Sequence, residues 1–138
     1  MWRRCWPLQR ASLDPINQGL LAIEGSASLQ LNDSSIVAYA LPVDSFGVMI
    51  AGLPDTQQST VFGLSCIGNS AIRVAYGVAS GGQVTVPIDL EDALYAPLGT
   101  GRFGLLYGDV LAFQYLSRDA SAPNGARFTE AIAFNISF

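Results

Sequence analysis

Residues 71–90, with the sequence AIRVAYGVASGGQVTVPIDL, decide the fold class. The first run is rich in β-branched and aromatic residues, and the second run alternates apolar and polar positions. The apolar positions of the second run are Val84, Val86, Ile88 and Leu90. A period of two is typical of a strand with one buried face, and Gly-Gly is typical of a hairpin-type turn. This stretch therefore predicts two strands joined by a tight turn.

The same pattern recurs along the chain, with Gly, Pro, Asn and Asp between the runs. Predicted strands cover residues 27–31, 35–41, 45–51, 60–66, 71–78, 84–90, 102–107, 110–117 and 127–138. Residues 91–95 are expected to form at most one helical turn. Eight or nine short strands at a spacing of about 10 to 12 residues predict an antiparallel β-sandwich, of jelly-roll or immunoglobulin-like type.

The chain divides into two unequal parts. Its 138 residues fit one domain, and no apolar run reaches the roughly 18 residues of a membrane-spanning helix. Residues 1–24 contain Pro7 and Pro15 and lack a sustained period, so we expect an arm or linker there and the β-sandwich domain at residues 25–138. Trp2 and Trp6 on this arm are the candidate partner-binding residues, because exposed Trp is costly. The alternative is that they pack on their own domain or are disordered.

Charge and composition restrict the classes of function that the chain can have. The net charge is −4, only 13% of residues are charged, and the arginines are scattered along the chain. Without a basic stripe, nucleic-acid binding is not expected. A protein surface with so few charges is poorly soluble alone, which favours a protein that functions as part of an assembly.

Catalytic chemistry has few candidates. The chain has no His, which removes Ser-His-Asp and Cys-His catalysis and His-ligated metal sites. We therefore predict no enzyme and no catalytic residues. Cys5 and Cys66 could form one disulfide, but we favour a free Cys5 and a buried, free Cys66.

Two segments with acidic residues are candidate sites. Asp89, Glu91 and Asp92 are dense enough in oxygen ligands to hold Ca²⁺, but they lack the EF-hand pattern and are better explained as caps of a helical turn. No other metal or cofactor is predicted. Arg118 and Asp119 are adjacent on a strand and point to opposite faces, so Asp119 is expected to open a turn.

The tyrosines suggest a second type of surface. Aromatic side chains with a few polar groups can line a carbohydrate site, although Tyr is also an ordinary strand residue. The candidates are Tyr39, Tyr76, Tyr95, Tyr107 and Tyr115.

Three motifs carry a resemblance over residues 27–138. They are LPVDSFG at residues 41–47, FGLSCIG at residues 62–68 and FQYLSRD at residues 113–119. In this order they resemble the LPxxSFG, FGxxCxG and FQxxxRD pattern of an uncharacterised domain in large secreted bacterial surface proteins. The resemblance implies a secreted, non-catalytic β-sandwich and no specific ligand.

These observations predict a non-catalytic structural or adhesive module, located outside the cell or on a cell or particle surface. It would act by self-association or by packing on another surface protein, through apolar patches or strand edges. The alternatives are a virion structural protein, such as a capsid decoration or fibre domain, and a carbohydrate-binding module.

Overall fold

The computed structural model describes residues 17–68, 71–102 and 104–137, with the backbone alone for residues 55–57. Within these residues there are nine strands and one short 3-10 helix, at Ala93–Leu98. The strands are β1 (Leu20–Glu24), β2 (Ser35–Tyr39), β3 (Phe46–Gly52), β4 (Pro54–Thr60), β5 (Gly63–Ile67), β6 (Ile72–Val78), β7 (Val84–Pro87), β8 (Val110–Arg118) and β9 (Ala126–Asn135). Every pair of strands is antiparallel, which confirms the predicted all-β class.

The strands form two packed sheets and a hairpin. A three-stranded sheet has the order β1-β2-β7, and a four-stranded sheet has the order β6-β3-β8-β9. Buried residues from both sheets form one core cluster between them, as a sandwich requires. The β4–β5 hairpin lies on the outer face of the four-stranded sheet, where β5 contacts β8 and β9.

The core is built from alternate residues of facing strands. Its largest side chains are Phe113 and Tyr115 of β8, both without exposed surface. The Tyr115 ring crosses Gly47 of β3 so closely that a Cβ at Gly47 would clash with it. The Tyr115 hydroxyl donates a long hydrogen bond of 3.4 Å to the Gly77 carbonyl, and burial raises the pKa of Tyr115. Gly47, the glycine of the SFG motif, is therefore required by core packing.

Residues 71–90 form two strands, as predicted, but the strands lie in different sheets. β6 pairs with β3, whereas β7 pairs with β2. The Gly81-Gly82 turn has the positive φ angles of 65° and 81° that favour glycine, and it supports only the single bridge between Ser80 and Gln83. The connection therefore carries the chain from one sheet to the other. β7 ends at Pro87, yet Ile88 and Leu90 continue its buried face.

Two predicted strands are wrong, because side chains stabilise turns there. Residues 27–31 form a turn in which the Ser28 hydroxyl accepts a hydrogen bond from the Leu31 amide. The described residues of 102–107 form bends and a turn, and the Asp109 carboxylate accepts hydrogen bonds from the Leu106 and Thr100 amides and the Thr100 hydroxyl.

The predicted strand at residues 60–66 is interrupted. A turn at Val61 and Phe62 separates β4 from β5. β4 was missed because Pro54 and Asp55 are typical turn residues, and Pro is tolerated at the first position of a strand.

The N-terminal side of the domain has an additional strand. β1 pairs with β2 in full register and lies within residues 1–24, the segment that the sequence assigned to an arm or linker. Trp2, Trp6 and Cys5 lie outside the described residues. In the part of the chain that the structure describes, no helix has the length and hydrophobicity to cross a bilayer.

Candidate interaction surface

The outer face of the four-stranded sheet has a covered half and an open half. The covered half lies under the β4–β5 hairpin, where Cys66 packs on Ala131. The open half consists of five apolar side chains that the strand registers place on one face of β6, β3 and β8. They are Phe46, Val48, Tyr76, Val78 and Leu116.

Buried amide side chains bind the hairpin to the covered half of the sheet. The Gln114 amide group donates to the carbonyls of Leu64 and Thr129 at 2.9 and 2.8 Å, and its oxygen accepts from the Cys66 amide at 3.1 Å. Asn17 donates to the same two carbonyls, and its oxygen accepts from the Leu64 amide at 2.6 Å. These side chains therefore satisfy backbone groups of β5 and β9 that would otherwise be unpaired in a buried place.

Cys66 corrects one expectation. It is buried, with 2% of its surface exposed, as predicted for a core residue. It is not free, however, because it is disulfide-bonded, and the cysteine to which it is joined lies outside the described residues.

The open half is apolar and exposed. The exposed fractions of Phe46, Tyr76 and Val78 are 49%, 59% and 57%. The rings of Phe46 and Tyr76 are stacked, with centroids 5.9 Å apart and planes 14° from parallel. With Leu116 and with Phe62 of the hairpin turn, they line a groove of about 400 Å³. Exposed apolar residues gathered in one place are typical of an interaction site, whereas isolated ones are ordinary.

The rim of the groove is the loop between β8 and β9. Asp119 opens this loop, as predicted, since its carboxylate accepts from the amide and hydroxyl of Ser121. Its other oxygen lies 3.0 Å from Nε of Arg127. The Ser121 hydroxyl contributes most to lowering the pKa of Asp119, with the Ser121 amide and Arg127 adding to it against the effect of burial. Arg118 lines the groove as an exposed cation.

The open half ends at the edge strand β6. Among the described strands, β6 pairs with β3 alone, so one side of its backbone has no partner strand. The register shifts between Met49 and Ile50, which makes Val74 an additional residue, or β-bulge, on β6. Arg73 is the only charged residue of this strand.

The acidic cluster is explained by local structure. Asp92 caps the 3-10 helix by accepting from the Leu94 amide, as expected for a cap. Asp89 accepts from the Asn32 side chain and the Glu91 amide, and these two hydrogen bonds, the former first, lower its pKa. No group of three or more metal-ligating side chains occurs within residues 17–68, 71–102 and 104–137.

The five tyrosines do not share a surface. Tyr95 and Tyr115 are core residues with 2% and 0% exposure, so they cannot contact a ligand outside the domain. Tyr39 lies in the three-stranded sheet and Tyr76 in the four-stranded sheet. Tyr107 lies in a turn. The predicted carbohydrate surface of five tyrosines is therefore wrong as a single surface.

Sequence reasoning missed most of the open half, although one signal was present. Residues 46–51 of β3 are apolar or glycine at every position, which is typical of a strand covered on both faces. The core covers one face, with Met49 and Ala51 completely buried, and the other face carries Phe46 and Val48.

No family model, curated protein or solved structure matches this chain. The resemblance to the bacterial surface domain therefore stays a prediction.

Proposed function

We propose that this chain is a non-catalytic structural or adhesive module of an extracellular or particle-surface assembly. It acts by packing on protein through the open half. The observation that carries this proposal is the exposure of Phe46, Tyr76 and Val78 together, on a sheet whose other face is fully used by the core.

Covering this surface would stabilise an assembly. Each Å² of apolar surface removed from water contributes about 25 cal/mol, and aromatic side chains are enriched among the residues that dominate binding energies. The side of β6 that has no partner among the described strands adds backbone donors and acceptors beside the apolar surface, which suits the addition of a strand from a partner.

The test is incorporation into the native assembly. Labelled wild-type protein and Phe46→Arg are added to the surface or particle that carries the protein, and the retained label is measured after washing. We expect Phe46→Arg to lower retention by about tenfold or more, since a charge is desolvated at the interface. Leu31→Arg is the matched control, because Leu31 is 66% exposed and lies outside the open half.

Equal retention of both variants would overturn the proposal, provided that circular dichroism shows the wild-type fold. Retention that free sugars abolish and Phe46→Arg leaves unchanged would favour the carbohydrate-binding alternative instead.

A further inference from the structure

We propose that a second copy of this chain binds at the edge of the open half and pairs antiparallel along β6. The two four-stranded sheets then join into one sheet of eight strands. This inference rests on the proposed function and names its partner.

The edge strand β6 and the turn before β3 carry opposite charges at their two ends. Arg73 is exposed near the start of β6. Asp44 is exposed at the opposite end, where its amide donates to the Ala79 carbonyl just beyond Val78. Among the described residues neither side chain makes an ion pair, and Arg73 has only a long hydrogen bond of 3.4 Å to the Tyr76 hydroxyl.

Two-fold symmetry brings these charges together. In an antiparallel pair of identical strands, the start of one β6 lies beside the end of the other, so each Arg73 faces the Asp44 of the second copy. Asp44 precedes β3, the strand next to β6, so the two residues are separated by about two strand spacings, or roughly 10 Å between backbones. Arginine and aspartate side chains together span this distance, and symmetry forms the ion pair twice.

The same pairing brings the outermost strand of the open half against the second copy. Tyr76 and Val78 point to the outer face, and side chains on one face of neighbouring antiparallel strands contact each other. The bulge at Val74 interrupts regular pairing near one end and leaves residues 75–78 as the regular part of the edge. A short edge of this kind gives a weak dimer, which suits a module that assembles at high local concentration.

The test is the mass of the purified chain as a function of concentration. Light scattering or sedimentation is measured from about 1 to 500 µM, where mass action separates weak dimers from monomers. We expect the average mass to rise from monomer towards dimer. Arg73→Glu and Asp44→Arg should each weaken the dimer by about tenfold or more, since each places two pairs of like charges at the interface.

A mixture gives the sharpest result. Arg73→Glu chains mixed with Asp44→Arg chains should form heterodimers, because one contact then pairs Glu with Arg and the other pairs the native Asp44 with the native Arg73. A misfolded variant would not associate on mixing, so restored association would show that both variants are folded. Glu91→Arg is the matched control for charge reversal, because Glu91 is exposed and lines a different groove, with Leu29 and Leu105, that contains no residue of the open half.

A wild-type chain that stays monomeric at every concentration overturns the inference, as does dimerisation that both charge variants leave unchanged. If the monomer shows buried Trp fluorescence that Phe46→Arg exposes, residues 1–16 of the same chain occupy the open half instead. A monomer whose retention on the native assembly still depends on Phe46 would refute this inference and leave the proposed function standing. A dimer whose retention on the native assembly is independent of Phe46 would refute the proposed function and leave this inference standing.

Discussion

The covered half and the open half of the outer sheet face differ in the size and polarity of their side chains. The covered half has small residues such as Ala131 and the buried amides of Gln114 and Asn17, which bind the hairpin backbone. The open half has large apolar side chains, and among the described residues the polar side chains that line its groove are those of Tyr76, Arg118 and Asn124. Polar groups therefore specify the layer that belongs to this domain, while the aromatic surface, for which we propose contacts between molecules, carries few of them.

The largest expected effect is at Gln114. Gln114→Ala removes the acceptor of the Cys66 amide and leaves a cavity beneath the hairpin. We expect a loss of about 4 kcal/mol in the free energy of unfolding, from an orphaned buried donor and lost packing. Urea unfolding of the purified variant measures this loss.

Leu116→Ala is the matched variant, because Leu116 lies two residues further along the same face of β8 in the open half. Its loss should be about 1.5 kcal/mol or less, since Leu116 is only half-buried. Equal losses at the two positions would contradict the division of the face into halves.

The disulfide at Cys66 has the next largest expected effect. Cys66→Ser should lower the free energy of unfolding by about 3 kcal/mol, because a cross-link restricts the unfolded chain. Wild-type protein in a thiol reductant should unfold at the same urea concentration as the variant. A variant as stable as the oxidised wild type would show that the bond contributes nothing to the covered half.

Several strands could be predicted from the sequence because their signal is local. β2, β3, β6 and β8 are apolar or β-branched runs between turn residues, and their predicted bounds lie within two residues of the observed ones. β9 was predicted over residues 127–138 and ends three residues earlier, at Asn135. β4 could not be predicted, since its strand character comes from pairing with β5, a strand that the distant Asn17 binds through Leu64. The assignment of β6 and β7 to different sheets also depends on β3 and β2, which a hairpin-type turn does not reveal.

The candidate surface was less predictable than the fold. Tyr76, Phe46 and Leu116 come from three separate strands, and only the registers of β3 with β6 and β8 bring them to one face. Asp119 could be predicted to open a turn because its hydrogen bonds to Ser121 are local.

Asp119 offers a smaller effect that depends on pH. Its pKa is lowered in the folded protein, so its contribution to stability is complete above the unfolded value of about 3.9 and is lost as the pH falls through the folded value. Asp119→Asn should therefore lower the urea midpoint at pH 7 and flatten its decline below about pH 4. At neutral pH we expect a loss of roughly 1–2 kcal/mol, from hydrogen bonds to a charged acceptor.

Unfolding curves at pH 7 and in steps below pH 4 check this prediction. A variant whose midpoint falls with acid as steeply as that of the wild type would show that other carboxylates, such as Asp109, dominate acid unfolding.

The smallest expected effect on the isolated domain is at Tyr76. Because Tyr76 is 59% exposed, Tyr76→Ser should cost the monomer only about 1 kcal/mol, mainly from its stack with Phe46. Association gives a different result, since a dimer is stabilised by mass action and its urea midpoint rises with protein concentration. We expect this rise in the wild type and its loss in Tyr76→Ser. A large loss of monomer stability in dilute solution would instead make Tyr76 part of the fold, and the open half would then resemble the covered half.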